Sequence, residues 1–196
     1  MPRKIKDILH IYFSTETEHD LGTISLGGID FATEDALQIE QLARSIVQCK
    51  HLGGINFRFV DFTGIAGAKL QPLFDAIKRK ESIESLEFTH CRLGMTSIAG
   101  GMIELISFVL SKISLRHVSL SCNFTFENIG KGLPILRSIL TNPQLESLEF
   151  NSNALYGLSS DMLNEMFQLL SRSNIRKLSL GANGFMKLTE SSLSAF

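Results

Sequence analysis

The chain has 196 residues, of which 44% are hydrophobic and 20% charged, and its formal net charge is −1. A chain of this length can bury a continuous core, and this composition is typical of a folded, water-soluble protein. The near-neutral charge argues against a general affinity for nucleic acid or anionic membrane surfaces, and we predict neither as a partner.

The cysteines and the apolar runs bear on the compartment. Cys49, Cys91 and Cys122 are widely spaced and odd in number, which disfavours a disulfide framework and favours a reducing compartment. The apolar run at residues 8–13 is too short for a secretory signal, and the run at 102–110 is far shorter than the ~20 residues of a membrane-spanning helix. We therefore expect a cytoplasmic protein without a membrane segment.

Residues 1–20 do not match the pattern that fills the rest of the chain. Within them, ILHIYF (8–13) has the apolar character of a short strand. We predict that residues 1–20 form an N-terminal capping segment, in which ILHIYF is an extra edge strand that covers the exposed side of the first repeat.

From residue 21 onward, the spacing L-x-x-L-x-L-x-x-N-x-L or a close variant of it occurs six times. The repeats start near residues 21, 52, 83, 115, 145 and 175, so the steps are 31, 31, 32, 30 and 30 residues. Self-similar segments at a near-constant period indicate a solenoid, in which each unit buries its apolar side against its neighbours. The asparagine position is occupied, in chain order, by Ile29, Val60, Cys91, Asn123, Asn153 and Asn183.

Each period also contains a segment with helical spacing. The first, TEDALQIEQLARSIVQ, begins with Thr33 as a predicted N-cap and with acidic residues in its first turn. The later segments are AKLQPLFDAIKRK, SIAGGMIELISFVLSK, ENIGKGLPILRSIL and SSDMLNEMFQLLSR. Thr189 is predicted to cap a last helix of barely two turns, because the sequence stops at Phe196. A solenoid end normally needs a polar cap, so we expect a chain that was cut from a longer one or is naturally short, or else an end that contacts a partner, self-association included.

These segments, SLEFNSNAL and KLSLGANGF above all, resemble the leucine-rich repeat family over residues 21–196. The long period with a full helix is similar to the ribonuclease-inhibitor-like subtype. The resemblance implies an α/β horseshoe with parallel strands on the concave face and helices on the convex face. It also implies that the recurring asparagine bonds backbone groups of the turn and of adjoining repeats. Because only the last three copies carry that asparagine, we expect the N-terminal half to deviate more.

Stacked parallel strands place equivalent residues of successive repeats in columns, with neighbours ~4.8 Å apart. One column alternates in charge, and we interpret it as a self-satisfying ladder of ion pairs rather than a recognition strip. Its members are Glu84, Arg116, Glu146 and Arg176. The candidate partner-binding residues on the concave face are Arg58, Phe59, Glu87, His90, Arg116, His117, Glu149 and Asn151. A convex or terminal binding surface is an equally weighted alternative.

No catalytic or metal-binding pattern is recognisable in the sequence. Glu87 and Glu149 are expected ~10 Å apart on an open sheet, which is too far for a shared-proton carboxylate pair. His90 and Cys122 share a column, but zinc needs three or four convergent ligands. We therefore predict a non-enzymatic module, without metal or cofactor, that binds a protein partner on its concave face. The alternative is the recognition domain of a larger enzyme, or of a bacterial effector that is secreted and acts in the host cytosol.

Overall fold

The computed structural model describes residues 3–13, 20–96, 101–112 and 114–187. In these ranges, six parallel strands form one sheet whose order follows the chain. They are β1 (Asp20–Ser25), β2 (His51–Asn56), β3 (Ser85–Glu87), β4 (His117–Ser119), β5 (Ser147–Glu149) and β6 (Lys177–Ser179). Since each strand pairs with the next one in sequence, the repeats lie side by side in a row.

A helix precedes β1, and one helix lies between each pair of successive strands. Within the described ranges the helices are α1 (Ile5–Phe13), α2 (Ala36–Gln48), α3 (Gly67–Arg79), α4 (Met102–Leu110), α5 (Gly132–Leu140) and α6 (Ser160–Arg172). Each helix packs against its neighbours in the row. Short 3-10 turns after β3 to β6 span Leu93–Met95, Ile129–Lys131, Leu155–Gly157 and Phe185–Lys187.

The strand register confirms the columns expected from the repeat spacing. The central apolar residues pair in succession: Ile24, Ile55, Leu86, Val118, Leu148 and Leu178. The first five are at most 3% exposed, because alternation along a strand turns them all toward the helices. Leu178, in β6, is 45% exposed. The next column pairs Ser25, Asn56, Glu87, Ser119, Glu149 and Ser179 on the opposite, open face.

The predicted N-terminal strand is wrong, because residues Ile5–Phe13 form a helix. Ile5 and Ile8 are three residues apart, which places both on one helical face, and both are completely buried. The helix packs against α2, and Arg3, just before it, pairs with Ile29 and donates to the Ser25 carbonyl at 3.3 Å. The segment therefore lies against the first repeat as a helix. A division into a cap of residues 1–20 and a repeat domain of residues 21–196 stays a prediction.

The predicted N-cap of the first repeat's helix, Thr33, is wrong. Asp35, not Thr33, caps α2: its carboxylate accepts from the Gln38 amide at 2.7 Å, and the Gln38 side chain closes the capping box. Thr33 instead belongs to the preceding turn, where its amide donates to the Asp30 carbonyl. The helix predicted after Thr189 lies outside the described residues.

The asparagine ladder predicted from the resemblance is present in the last three repeats. The side-chain oxygen of each asparagine accepts the backbone amide of the equivalent residue one repeat earlier: Asn123 that of Cys91, Asn153 that of Asn123, and Asn183 that of Asn153, at 2.7–2.9 Å. The side-chain amides donate to backbone carbonyls, among them Leu120 and Phe150. These bonds join neighbouring repeats and satisfy buried backbone groups.

The second and third repeats have no asparagine at this position and bond the corresponding backbone groups in other ways. The Cys91 thiol donates to the Phe57 carbonyl at 2.8 Å, the counterpart of the bond from the Asn123 amide to the Phe88 carbonyl. The turn at Val60 closes through its own amide, which donates to the Phe57 carbonyl. As expected, the N-terminal half deviates: β1 and β2 have six residues each, whereas β3 to β6 have three.

The buried thiol predicts a pH effect on stability. Burial, as the largest cause, raises the pKa of Cys91 from 9.0 to about 12, so the folded state holds this proton more tightly than the unfolded chain. The resulting stabilisation is complete below pH 9 and is lost as pH rises from there through about 12. At ~1.4 kcal/mol per pKa unit, the loss is on the order of 4 kcal/mol. We expect urea unfolding of the native chain to weaken over this window more steeply than that of Cys91→Ala. Parallel pH profiles for the two proteins would contradict the assignment.

Candidate functional site

The open face of the sheet carries a shallow depression across β3, β4 and β5. It has a volume of about 210 Å³ and is lined by Ser85, Leu86, Glu87, His117, Val118, Ser119, Ser147 and Glu149. Three of the residues predicted from the sequence, Glu87, His117 and Glu149, thus meet at one place. The serines between them keep the surface low and polar, so a partner side chain can approach the backbone of the sheet.

The Glu87 carboxylate is held by neighbours from its own repeat and the preceding one. One oxygen accepts from the Asn56 amide at 2.6 Å and the other from the Thr89 hydroxyl at 2.9 Å. The Arg58 guanidinium lies 3.9 Å from the carboxylate. Because both oxygens are engaged inside the chain, the charge of Glu87 is largely compensated before any partner arrives.

Glu149 differs from Glu87, although both end the same sequence phrase, ESLEF. Its side chain is exposed, and it has no hydrogen-bond or ion-pair partner among the described residues. Its register neighbours in β4 and β6 are Ser119 and Ser179, which carry no charge. Glu149 is therefore the uncompensated carboxylate of the depression.

An ordered aromatic pair lies beside Glu87 at the rim of the open face. The Phe59 and His90 rings stack with centroids 5.0 Å apart and an interplanar angle of 17°. The Arg58 guanidinium carbon lies 5.8 Å from the Phe59 ring centroid. Phe59 is nevertheless 62% exposed, so the pair presents an aromatic surface whose geometry is set by the stack.

The backbone holds this aromatic pair in an unusual conformation. Phe59 and His90 have φ angles of 59° and 56°, in the left-handed region that glycine adopts readily and L-residues rarely, with Asn, Asp and His found there more often than the rest. The equivalent residues Cys122, Ser152 and Ala182 share it, with φ of 55–60°. All of these amides except that of Ala182, in the last described repeat, donate to a carbonyl of the next repeat, as from Phe59 to Thr89 at 2.9 Å. The turns after β2 to β6 therefore each project one side chain along the rim, whereas the turn after β1 has Gly28 at this position.

Arg116 and Asn151, both predicted site residues, are occupied with contacts inside the chain. The Arg116 guanidinium lies 2.6 Å from Glu146 and 3.7 Å from Glu84, as the ladder interpretation of this column predicts. The Asn151 oxygen accepts from the Gly181 amide at 2.7 Å and from the Ser179 hydroxyl at 2.8 Å. These contacts tie neighbouring repeats together and leave less of either group for a partner.

His90 and Cys122 occupy equivalent positions in adjacent repeats, but in the described ranges they are not part of a metal site. Within them, no group of three or more His, Cys, Asp or Glu side chains is arranged to hold a metal ion. Nor is any helix in the described part of the chain both long and apolar enough to traverse a bilayer.

A second exposed aromatic pair lies on the side of the row formed by the 3-10 turns. Phe126, which is 56% exposed, stacks on Tyr156 at 5.4 Å. A Cβ on Gly157 would come within 2.8 Å of Phe126, and one on Gly184 within 2.4 Å of Tyr156. The sequence interpretation missed this pair because it followed only the strand columns. The signal was there, since a glycine one repeat later accommodates each ring.

Comparison with known proteins gives the fold its context. Neither a protein-family model nor a curated protein matches the chain. Among solved structures, it is similar to the tropomodulin C-terminal domain of Caenorhabditis elegans, with a TM-score of 0.52 and 14% identity over 80% of this chain and 89% of that one. The fold is a leucine-rich-repeat solenoid. In it, the parallel strands line the concave face and the helices cover the convex face, so the depression and the aromatic rim belong to the concave face.

Proposed function

We propose that the chain belongs to the ribonuclease-inhibitor-like subtype, which its period of 30–32 residues with a helix between successive strands supports. We further propose that it is a non-catalytic module that binds a protein partner on its concave face. The observation that carries this proposal is the exposed Phe59–His90 stack beside the depression that contains Glu149. Aromatic anchors on a fixed backbone lose little entropy when a partner covers them, which is why they dominate interfaces.

The predicted site residues divide into two groups by their contacts. Phe59, His90 and Glu149 are proposed to contact the partner directly, together with the exposed His117. The remaining four, Arg58, Glu87, Arg116 and Asn151, are proposed to shape and hold this surface through the bonds described above. The uncompensated carboxylate of Glu149 favours a partner that places a basic side chain in the depression.

The proposal predicts that two substitutions weaken binding. A partner recovered by cross-linking and mass spectrometry in native cell extract is expected to lose roughly tenfold or more in affinity for Phe59→Ala, since aromatic anchors contribute ~2 kcal/mol. Glu149→Arg is expected to act in the same direction by placing a like charge opposite the partner's base. Isothermal titration calorimetry with purified partner and full chain measures both effects.

Glu165→Arg supplies the matched control, because it makes the same charge change on α6, where Glu165 pairs with Arg137. It should leave affinity unchanged. If Phe59→Ala and Glu149→Arg bind as tightly as the unaltered chain, the partner uses the convex or a terminal surface and the concave proposal is wrong.

The alternative proposal is that the chain is the recognition part of a larger enzyme or effector, with the chemistry elsewhere. The exposure of Leu178 supports it, because this residue of β6, the last strand in the described ranges, leaves apolar surface for further polypeptide or for a second copy. Light scattering over a concentration series distinguishes self-association, and the complete coding sequence reveals any further domain.

The proposed location of the protein is a reducing cytoplasm, that of a host cell included. All three cysteines are free, which supports this proposal.

A further inference from the structure

We propose that Asn183 is a site of spontaneous deamidation, and that the modification holds the last repeat open. Three asparagines occupy the same buried ladder position, but the residues that follow them differ. Phe124 follows Asn123, Ala154 follows Asn153, and Gly184 follows Asn183. Because glycine has no side chain, its own backbone nitrogen is unshielded and the chain there is flexible, which favours attack of that nitrogen on the preceding asparagine side chain.

The chemistry needs only water as a second reactant. The backbone nitrogen of Gly184 attacks Cγ of Asn183, so a new N–C bond forms while the bond from Cγ to the side-chain nitrogen breaks. That nitrogen takes up the proton of the Gly184 N–H and leaves as ammonia. Water then opens the cyclic imide at either carbonyl, which yields aspartate or isoaspartate without any change in oxidation state.

The closed repeat protects Asn183 from this reaction. The side-chain amide donates to the carbonyls of Phe150 at 2.7 Å and Leu180 at 2.9 Å, and the oxygen accepts from the Asn153 amide at 2.8 Å. The residue is 1% exposed. Held in this way, the side chain cannot turn toward the Gly184 nitrogen, so reaction requires that the repeat open.

The last described repeat is the one that opens most easily. All three residues of β6 are exposed, whereas the central residue of each of β3 to β5 is buried. Asn153 is held from both sides. Its side-chain oxygen accepts from the backbone amide of Asn123, and its backbone amide donates to the side-chain oxygen of Asn183. Among the described repeats this one buries the least of its strand, and local opening costs least where few apolar contacts are buried.

Deamidation then prevents closure. A carboxylate in place of the amide would face the carbonyl oxygens of Phe150, Leu180 and Gly181, to which the amide now donates. It cannot donate to them, and burying its charge is costly. Isoaspartate would also lengthen the backbone within the turn. A transient opening is thereby made permanent, and the edge of β5 loses its cover.

Peptide mapping by mass spectrometry tests the site in the full chain, incubated at mildly alkaline pH without denaturant. Labelling by an isoaspartyl methyltransferase scores the isomer. Asn183 is expected to deamidate at least about tenfold faster than Asn123 or Asn153, because the repeat that carries it opens most often. Equal rates at the three positions would overturn the proposal.

Ala154→Gly separates the effect of the following residue from that of repeat opening. Ala154 has a φ of 53°, so glycine fits there without strain and gives Asn153 the same flexible follower. Asn153 should stay intact under native conditions, yet match Asn183 in urea. If it matches Asn183 in the folded protein as well, opening of the last repeat is not the gate and the proposal fails.

The consequence is tested with Asn183→Asp by hydrogen exchange. Amide protection over residues 175–187 should be lost, while protection over residues 52–88 stays as in the unaltered chain. Native protection over 175–187 in this variant would show that the carboxylate is tolerated, which overturns the proposed block to closure.

Discussion

Replacing Asn153 with alanine is expected to lower the free energy of unfolding by about 3 kcal/mol or more. The Asn153 oxygen accepts from the amides of Asn123 at 2.7 Å and Phe124 at 3.1 Å, and the residue is completely buried. Alanine leaves both donors without a partner in a place that water does not reach, and each such group costs ~1–3 kcal/mol. Urea unfolding followed by circular dichroism measures the loss.

Asn151→Ala provides the control, because Asn151 lies only two residues away but on the open face. Its oxygen accepts from Gly181 and Ser179, which water can satisfy after the substitution. The expected cost is therefore under about 1 kcal/mol. Equal losses for Asn151→Ala and Asn153→Ala would mean that the buried ladder contributes no more to stability than surface hydrogen bonds do.

The stacked architecture could be predicted from the sequence because the repeats are parallel and in register. Under those conditions, equal offsets within successive repeats become neighbours in space, so a period in the sequence becomes a column in the structure. This is why the row from Ile24 to Leu178 and the row that contains Glu87 and Glu149 were both placed correctly.

The contacts within the columns could not be predicted in the same way. Glu87 and Glu149 end identical phrases, yet only Glu87 has Asn56 and Arg58 in the preceding repeat to bond it. The left-handed turn that orders Phe59 against His90 leaves no recognisable signal in residue type, since glycine occupies that position only in the first repeat, at Gly28. Such features depend on the pairing of particular neighbours, not on the period.

The N-terminal helix shows a different limit. A short apolar run such as ILHIYF is compatible with either a strand or a helix, and tertiary packing decides between them. Here Ile5, which lies before that run, joins Ile8 on one helical face, and both residues enter the core. The strand interpretation left out Ile5 and so lost the helical spacing.

Phe57→Ala is expected to be the most destabilising change among the phenylalanines of the early repeats. Phe57 is completely buried and stacks on Phe88 at 4.7 Å and on Phe74 at 5.8 Å, with Phe62 tilted against it at 5.9 Å. Removing the ring leaves a cavity among rigid neighbours, for which the cost is about 3–5 kcal/mol. Thermal and urea unfolding both measure it.

Phe59→Ala makes the same chemical change two residues later, where the ring is 62% exposed. It removes little buried surface, so its expected cost in stability is under about 1 kcal/mol, whereas its cost in partner affinity is expected to be large. Phe57→Ala should therefore impair folding, and Phe59→Ala should impair binding by a protein that remains folded. A large loss of stability for Phe59→Ala would mean that the stack of Phe59 with His90 stabilises the row of repeats. Phe59 would then have a structural role, and the proposal that it is a binding anchor would lose its support.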